Sequence, residues 1–174
     1  FSRVEDGLIL DANNAFFELF QWTREEVIGK TSRDLNLFAD FQERDRAIAL
    51  LHRNGRLRDY EIRIRRKSGE ERIALLSSEL LQVAEGLAFL TIIQDITERK
   101  QAEEALRESE ERYRALYEQA AVGIKQVSRD GQLQAVNQKM ANILGYTREE
   151  LEGRSLAELT PPEDWQKEQV LLRR

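Results

Sequence analysis

Side chains able to carry covalent or acid–base chemistry are few in this chain, and they do not gather. His52 is the single histidine and there is no cysteine, which removes thiolate nucleophiles, cysteine zinc sites and disulfides. His52 stands in Leu51-His52-Arg53-Asn54-Gly55, beside an arginine and a turn, the setting of a solvated surface histidine. A lone histidine without further ligand types is weak evidence for a metal. It also lacks the acidic neighbour and the proline expected after a phosphoaccepting histidine. The acids are spread along helix surfaces rather than paired, and neither a glycine-rich phosphate loop nor a serine nucleophile context is present. This is the inventory of a non-catalytic chain. What remains are polar residues at junctions: Asp95 and Thr97 where a strand gives way to a helix, and Arg65-Arg66-Lys67 at a turn. Asp95 and Thr97 read first as a helix cap, worth about 1 kcal/mol.

The elements that position these residues come in two copies. Residues 6–32 align without a gap on residues 130–156, an offset of 124 positions set by Thr23 and Thr147. Asp6-Gly7 falls on Asp130-Gly131, Asn13 on Asn137, Thr23-Arg24-Glu25-Glu26 on Thr147-Arg148-Glu149-Glu150, and Gly29 on Gly153. In each copy an acidic-glycine turn predicts a hairpin, the asparagine opens a short helix, and threonine with a glutamate three residues on forms a capping box. The asparagines are expected to order a strand-to-helix junction by bonding backbone.

Asp40 to Asn54 then predicts a longer helix, with Phe41, Ala47, Ile48 and Leu51 on one face and arginines and acids elsewhere. From Tyr60 the period changes to two. Strands are predicted at Tyr60–Arg65, Arg72–Gln82 and Leu87–Gln94, with turns at Lys67-Ser68-Gly69 and Ala84-Glu85-Gly86. The last two strands are apolar on both faces, so the face away from the helices needs a flanking helix or another subunit. Phe38, Phe41, Ile48, Leu51, Ile62, Ile64, Leu76, Leu90 and Ile92 should line the interior. Side chains at these periods favour a filled core over a ligand cavity. No charged residue falls at an interior position in this reading, so anything bound there should be small and apolar or weakly polar.

From Ile96 to Ala120 there is neither glycine nor proline, and Ala102, Leu106, Ser109, Tyr113, Leu116 and Ala120 recur at steps of four and three. That is a heptad seam of about three repeats, mixed enough to predict weak or conditional pairing of two such helices. Asp95 with Glu98 would cap its start. After it the first pattern returns, and Thr160-Pro161-Pro162-Glu163 predicts one more helix start. The second copy ends roughly 45 residues before its third-strand counterpart, so it is expected to fold weakly or to be completed by a contact outside the chain. A net charge of −5 gives no basic face for nucleic acid, and no apolar run is long enough for a membrane span. A cytoplasmic location follows as the expectation.

Three motifs in order carry a resemblance. Asn13 with Trp22-Thr23-Arg24-Glu25-Glu26-Val27-Ile28-Gly29, the basic turn Arg65-Arg66-Lys67-Ser68-Gly69-Glu70, and Asp95-Ile96-Thr97-Glu98-Arg99-Lys100 resemble the signatures of the PAS family. The resemblance covers essentially the whole chain. It implies an α+β fold, a five-stranded antiparallel sheet with flanking short helices, over residues 1–95. A coiled-coil signalling helix over 96–120 and the front half of a second PAS fold over 121–174 would follow. Such modules sit in bacterial sensor histidine kinases, cyclic-dinucleotide enzymes or phosphatases, as dimers, and pass a signal through the exit helix. The implied partners are a second copy, through linker helix and sheet face, and neighbouring PAS or output domains, with no nucleic acid or membrane contact. By the same resemblance Asp95 should pair with Arg65, Arg66 or Lys67, tying sheet to helix. Haem-binding members use a histidine on the long helix, a role His52 is poorly placed to fill. Flavin photochemistry and chromophore attachment through cysteine are excluded in their usual form, so no cofactor is expected. The competing reading is a constitutive dimerisation scaffold without an input of its own.

Overall fold

A computed structural model describes residues 1–84, 86–162 and 164, and divides the chain into two units, Phe1–Glu103 and Glu104–Arg174. In the first unit the chain enters through strand β1 (Ser2–Arg3) and turns at Gly7, whose φ of 74° is the left-handed region that glycine reaches without strain. The second arm of this hairpin is slighter than its sequence suggests. Leu8 and Ile9 make isolated bridges to Thr31 and Ser2, because the Ile9 amide donates to the Lys30 carbonyl (2.8 Å) and the Ile9 carbonyl accepts from Gly29 (2.9 Å). The backbone groups of a regular fifth strand are thus spent on the loop that follows the short helices.

Helix α1 (Asn14–Phe20) is capped by Asn13, whose side chain accepts from the Phe16 amide at 3.1 Å. Helix α2 (Arg24–Val27) opens on Thr23, whose own amide donates back to Glu26 at 3.1 Å. Asp40 caps α3 (Phe41–Asn54) through the Gln42 amide, and Gly55 ends it in the left-handed conformation. Strands β2 (Arg56–Arg65), β3 (Glu71–Val83) and β4 (Gly86–Asp95) form an antiparallel meander, and β1 adds to its far edge in the order β1-β4-β3-β2. The turn expected around Ala84 to Gly86 includes Glu85, which lies outside the described residues. The inner face of this sheet packs on the helices: Ile62, Ile64 and Ala74 are buried with Phe20, Val27 and Leu51. The outer face keeps Ile92 at 63 % exposure, so the second apolar face read from the sequence is only partly covered within the unit.

Helix α4 (Thr97–Gln119) leaves the sheet, and Ala120 falls just beyond it, so the seam read from the sequence loses its last member. The seam residues Ala102, Leu106, Ser109, Tyr113 and Leu116 are all exposed. In the second unit β5 (Lys125–Val127) and β6 (Leu133–Val136) form a hairpin, followed by α5 (Gln138–Leu144), α6 (Arg148–Leu151) and α7 (Leu156–Leu159). Among the described residues its buried core comprises Leu133, Val136, Ala141, Leu151 and Leu156. Helices α5 and α6 repeat α1 and α2 residue for residue at the sequence offset, down to the reciprocal box between Thr147 and Glu150. The helix start expected at Thr160-Pro161-Pro162-Glu163 runs into Glu163, which lies outside the described residues.

Candidate functional site

Two features of the first unit have the geometry of a working site: the junction where β4 becomes α4, and a recess inside the fold. At the junction the β3–β4 ladder ends on the pair Ala74 and Asp95. One rung further the ladder is continued by different atoms. The Ile96 amide donates to the Ile73 carbonyl at 2.9 Å, and the Ile73 amide donates to the Thr97 hydroxyl at 2.9 Å. Thr97 is buried, so this hydroxyl replaces the strand carbonyl that the turning chain withdraws. Asp95 accepts from the Thr97 amide at 2.9 Å. That is a cap on the first helical amide, and Glu98 makes no reciprocal bond among the described residues, contrary to the box expected from the sequence.

The carboxylate of Asp95 also faces cations, but not all of those expected. Arg66 lies 4.0 Å away and Arg72, which the sequence did not single out, 3.6 Å. Arg66 in turn donates through Nε to the Leu19 carbonyl at 2.9 Å and pairs with Glu70 at 2.9 Å, holding that carboxyl below its ordinary range. Arg65 points elsewhere, to Glu71 at 3.3 Å and the Ala39 carbonyl at 3.2 Å. Lys67 is held by Glu26 at 2.6 Å and stacks over the Trp22 ring at 4.7 Å. The basic turn is shared out: one member reaches toward the junction, and two brace the helical layer and the neighbouring strand. A second tie, unforeseen in the sequence, joins Lys100 of α4 to Glu61 of β2 at 2.7 Å. Glu61 alternates with the buried Ile62, which sets the start of α4 against the outer face of the sheet.

The interior is not filled. A recess of about 620 Å³ lies between α3, the inner sheet face and the N-terminal segment, reaching exposed residues Asp6, Asp11 and His52 at its rim. Its size is that of ordinary small-molecule sites, about 300–1,000 Å³. Small side chains contribute to the space: Ala47 on α3 and Ser78 on β3 are buried on its wall and fill little of it. Of the nine lining residues expected, Phe38, Ile48, Leu51, Ile62 and Leu76 lie around it. Leu90 and Ile92 border it on β4, where the inward side chains are those of their neighbours Phe89 and Ile93, and Ile92 itself belongs to the outer face. Phe41 and Ile64 do not line it. Ile64 is sealed in packed core beside Phe38, and Phe41 lies beneath the Arg33 guanidinium at 4.8 Å. His52 is exposed as read, with its ring edge-on to Phe89 at 5.3 Å.

Arg44 overturns the expectation that no charge faces inward. It shares a stripe with Ala47, Ile48 and Leu51, one turn ahead of them, and its side chain is only 19 % exposed at the wall of the recess. The period of that stripe could have revealed it, since position 44 completes the 44, 47, 48, 51 spacing.

At the far end of α4 the second unit has its own anchor. Asn137 is fully buried and uses its whole amide: Oδ1 accepts from Ile124 (2.8 Å) and Met140 (2.9 Å), and Nδ2 donates to the carbonyls of Tyr117 (2.9 Å) and Val122 (3.0 Å). Glu118 adds an ion pair to Arg148 at 2.6 Å and accepts from the Gln138 amide at 3.2 Å. Among the described residues no cluster of His, Asp or Glu could hold a metal, and no helix is long and apolar enough to cross a membrane.

The profile of the PAS domain matches residues 1–98, and that of the PAS fold matches residues 111–174. The chain belongs to the PAS family. Sporulation kinase E of Bacillus subtilis (strain 168) is 29% identical over 156 residues, 82% of this chain and 20% of that protein. The sensor histidine kinase TmoS of Ectopseudomonas mendocina is 35% identical over 91 residues, 51% of this chain and 9% of that protein. The probable diguanylate cyclase DgcE of Escherichia coli (strain K12) is 38% identical over 63 residues, 36% of this chain and 6% of that protein. The chain therefore spans a fifth or less of each of these relatives. It is a PAS signalling module of the α+β class, a sensory and non-catalytic fold.

Proposed function

We propose that this PAS chain is a sensor and relay: the recess takes the input, the Asp95–Thr97 junction converts it to a displacement of α4, and α4 carries it onward. In this reading residues 1–95 sense, 96–120 transmit and 121–174 receive, in a cytoplasmic homodimer whose output domain is a histidine kinase or a comparable enzyme. The observation that carries the proposal is the continuity of bonding along α4. Its first turn is a rung of the first unit's sheet through Thr97, and its last turn is held in the second unit by Asn137 and Arg148. A helix hydrogen-bonded at both ends into folded units has a route by which a change at one end is felt at the other.

A constitutive scaffold is the second reading, and the exposed seam favours it. Leu106, Tyr113 and Leu116 are 62%, 66% and 69% exposed, a stripe suited to pairing with the same helix of a second copy. Single cysteines at Leu106 and Leu116, in a chain with none of its own, separate the two by disulfide trapping. The relay predicts that Thr97→Val alters the trapping rate or register at both positions. Trapping that is complete and indifferent to Thr97→Val identifies a scaffold.

A further inference from the structure

The recess is apolar through most of its depth but carries a charge where the fold has no evident need of one. Arg44 occupies an inward position of α3, among Ala47, Ile48 and Leu51, where the helix otherwise buries apolar groups. Holding a guanidinium there costs solvation, and a mostly buried charge is retained where something pairs with it. Its pairing within the chain is incomplete. Nη1 meets Asp45 at 3.1 Å, and that carboxylate is also claimed by Arg33 at 2.5 Å, so two arginines share one acid and a net positive charge is left. The Asp45 carboxyl is correspondingly held below its usual range, the Arg44 hydrogen bond being the largest cause.

The other terminal nitrogen, Nη2, has no hydrogen-bond partner among the described residues. It lies beside Gly7, close enough that a Cβ there would stand 3.9 Å from it. The Ser32 hydroxyl, also on the recess wall, is buried without a partner. Ser32 and Arg44 both line the recess, so two unsatisfied donors border the same space. Two donors and one uncompensated positive charge on the wall of a largely apolar recess match an acid group on a hydrocarbon body.

We propose that the recess binds a hydrophobic monocarboxylate, its hydrocarbon against Phe38, Ile62, Leu76 and Phe89 and its carboxylate on Arg44, with the Ser32 hydroxyl donating a further bond. This rests on the reading of the recess as the input site and names the chemistry of the input. It also gives the input a path: α3 bears Arg44 and faces the sheet whose strands β3 and β4 end at the junction.

The test is isothermal titration of the full chain with decanoate and, separately, with 1-decanol, which share a hydrocarbon and differ in the acid. The unmodified chain should bind decanoate about tenfold or more tightly than decanol, the scale of a charge-assisted hydrogen bond. Arg44→Gln should bring decanoate to the affinity of decanol and leave decanol unchanged. Arg44→Lys should keep part of the preference. Equal binding of acid and alcohol by the unmodified chain, or a preference that survives Arg44→Gln, overturns the carboxylate proposal while leaving the recess as an input site. Binding of neither probe overturns both, and the relay would then take its input from neighbouring domains. The comparison on the unmodified chain stands alone if Arg44→Gln does not fold.

Discussion

Asn13 and Asn137 hold the same place in the two copies, each capping a seven-residue helix, yet their surroundings give them different weight. Asn13 is exposed and accepts one bond, from Phe16. Asn137 is sealed from solvent and makes four, two of them to carbonyls at the end of α4 and in the loop after it. One local motif thus serves as a modest helix start in one copy and as a joint between exit helix and module in the other. The lesson is that a capping signature fixes where a helix begins, while tertiary neighbours decide what its loss would cost.

Removing each amide in turn should produce the largest difference between the two copies. Asn137→Ala leaves two carbonyls and two amides of the second unit without partners, and should cost about 3 kcal/mol. Asn13→Ala should cost about 1 kcal/mol, the usual value of a cap. Urea unfolding followed by near-ultraviolet and far-ultraviolet circular dichroism measures both. Equal losses would mean that the buried network adds nothing to the cap. The next contrast lies along α4. Thr97→Val deprives the Ile73 amide of its acceptor and should cost about 1–2 kcal/mol. It should also speed tryptic cleavage after Arg99 and Lys100, whereas Glu118→Gln, at the other end, should leave that cleavage unchanged.

A smaller effect separates the two capping boxes. In the first copy Glu26 is held by Lys67 as well as by Thr23, and Lys67 covers Trp22. Lys67→Met should cost less than about 1 kcal/mol, as exposed ion pairs do, and should change Trp22 fluorescence. The smallest effect is one of pH. The hydrogen bond from Lys67, then that from the Thr23 amide, lowers the Glu26 carboxyl below its ordinary range. A carboxyl whose folded pKa is depressed contributes stability that is full above the unfolded value and is lost as pH falls through the folded one. Glu26→Gln should therefore lower stability slightly at neutral pH, with the two stability–pH curves converging as pH falls below the usual carboxylate range.

Much of this architecture was legible in the residues. The repeat, both capping boxes, the long helix with its glycine stop and the three-stranded meander follow from local spacing, which is where turns, caps and periods are written. The slight second arm of the first hairpin was not, because the groups that occupy Ile9 lie in the loop after α2, distant in sequence. Of the site, Asp95 and Thr97 could be named from the strand-to-helix change, but the choice of Arg66 and Arg72 over Arg65 and Lys67 depends on which face of the turn each side chain leaves. The hollow interior has a related cause: volume is a sum over the side chains of several elements, and the small Ala47 and Ser78 lining one space is a fact of tertiary packing, not of either strand or helix alone. Arg44 is legible in the helical period, at the position that completes the 44, 47, 48, 51 stripe, although its residue type alone suggests a solvated face.

The Thr97 hydroxyl belongs to the sheet and to the helix at once, being acceptor for the Ile73 amide and part of the first turn of α4. Sheet edge and helix start therefore open as one local unfolding unit. The Ile73 amide cannot exchange its proton with solvent unless that first turn lifts. Its exchange rate is thus a built-in gauge of how often the exit helix leaves the sheet.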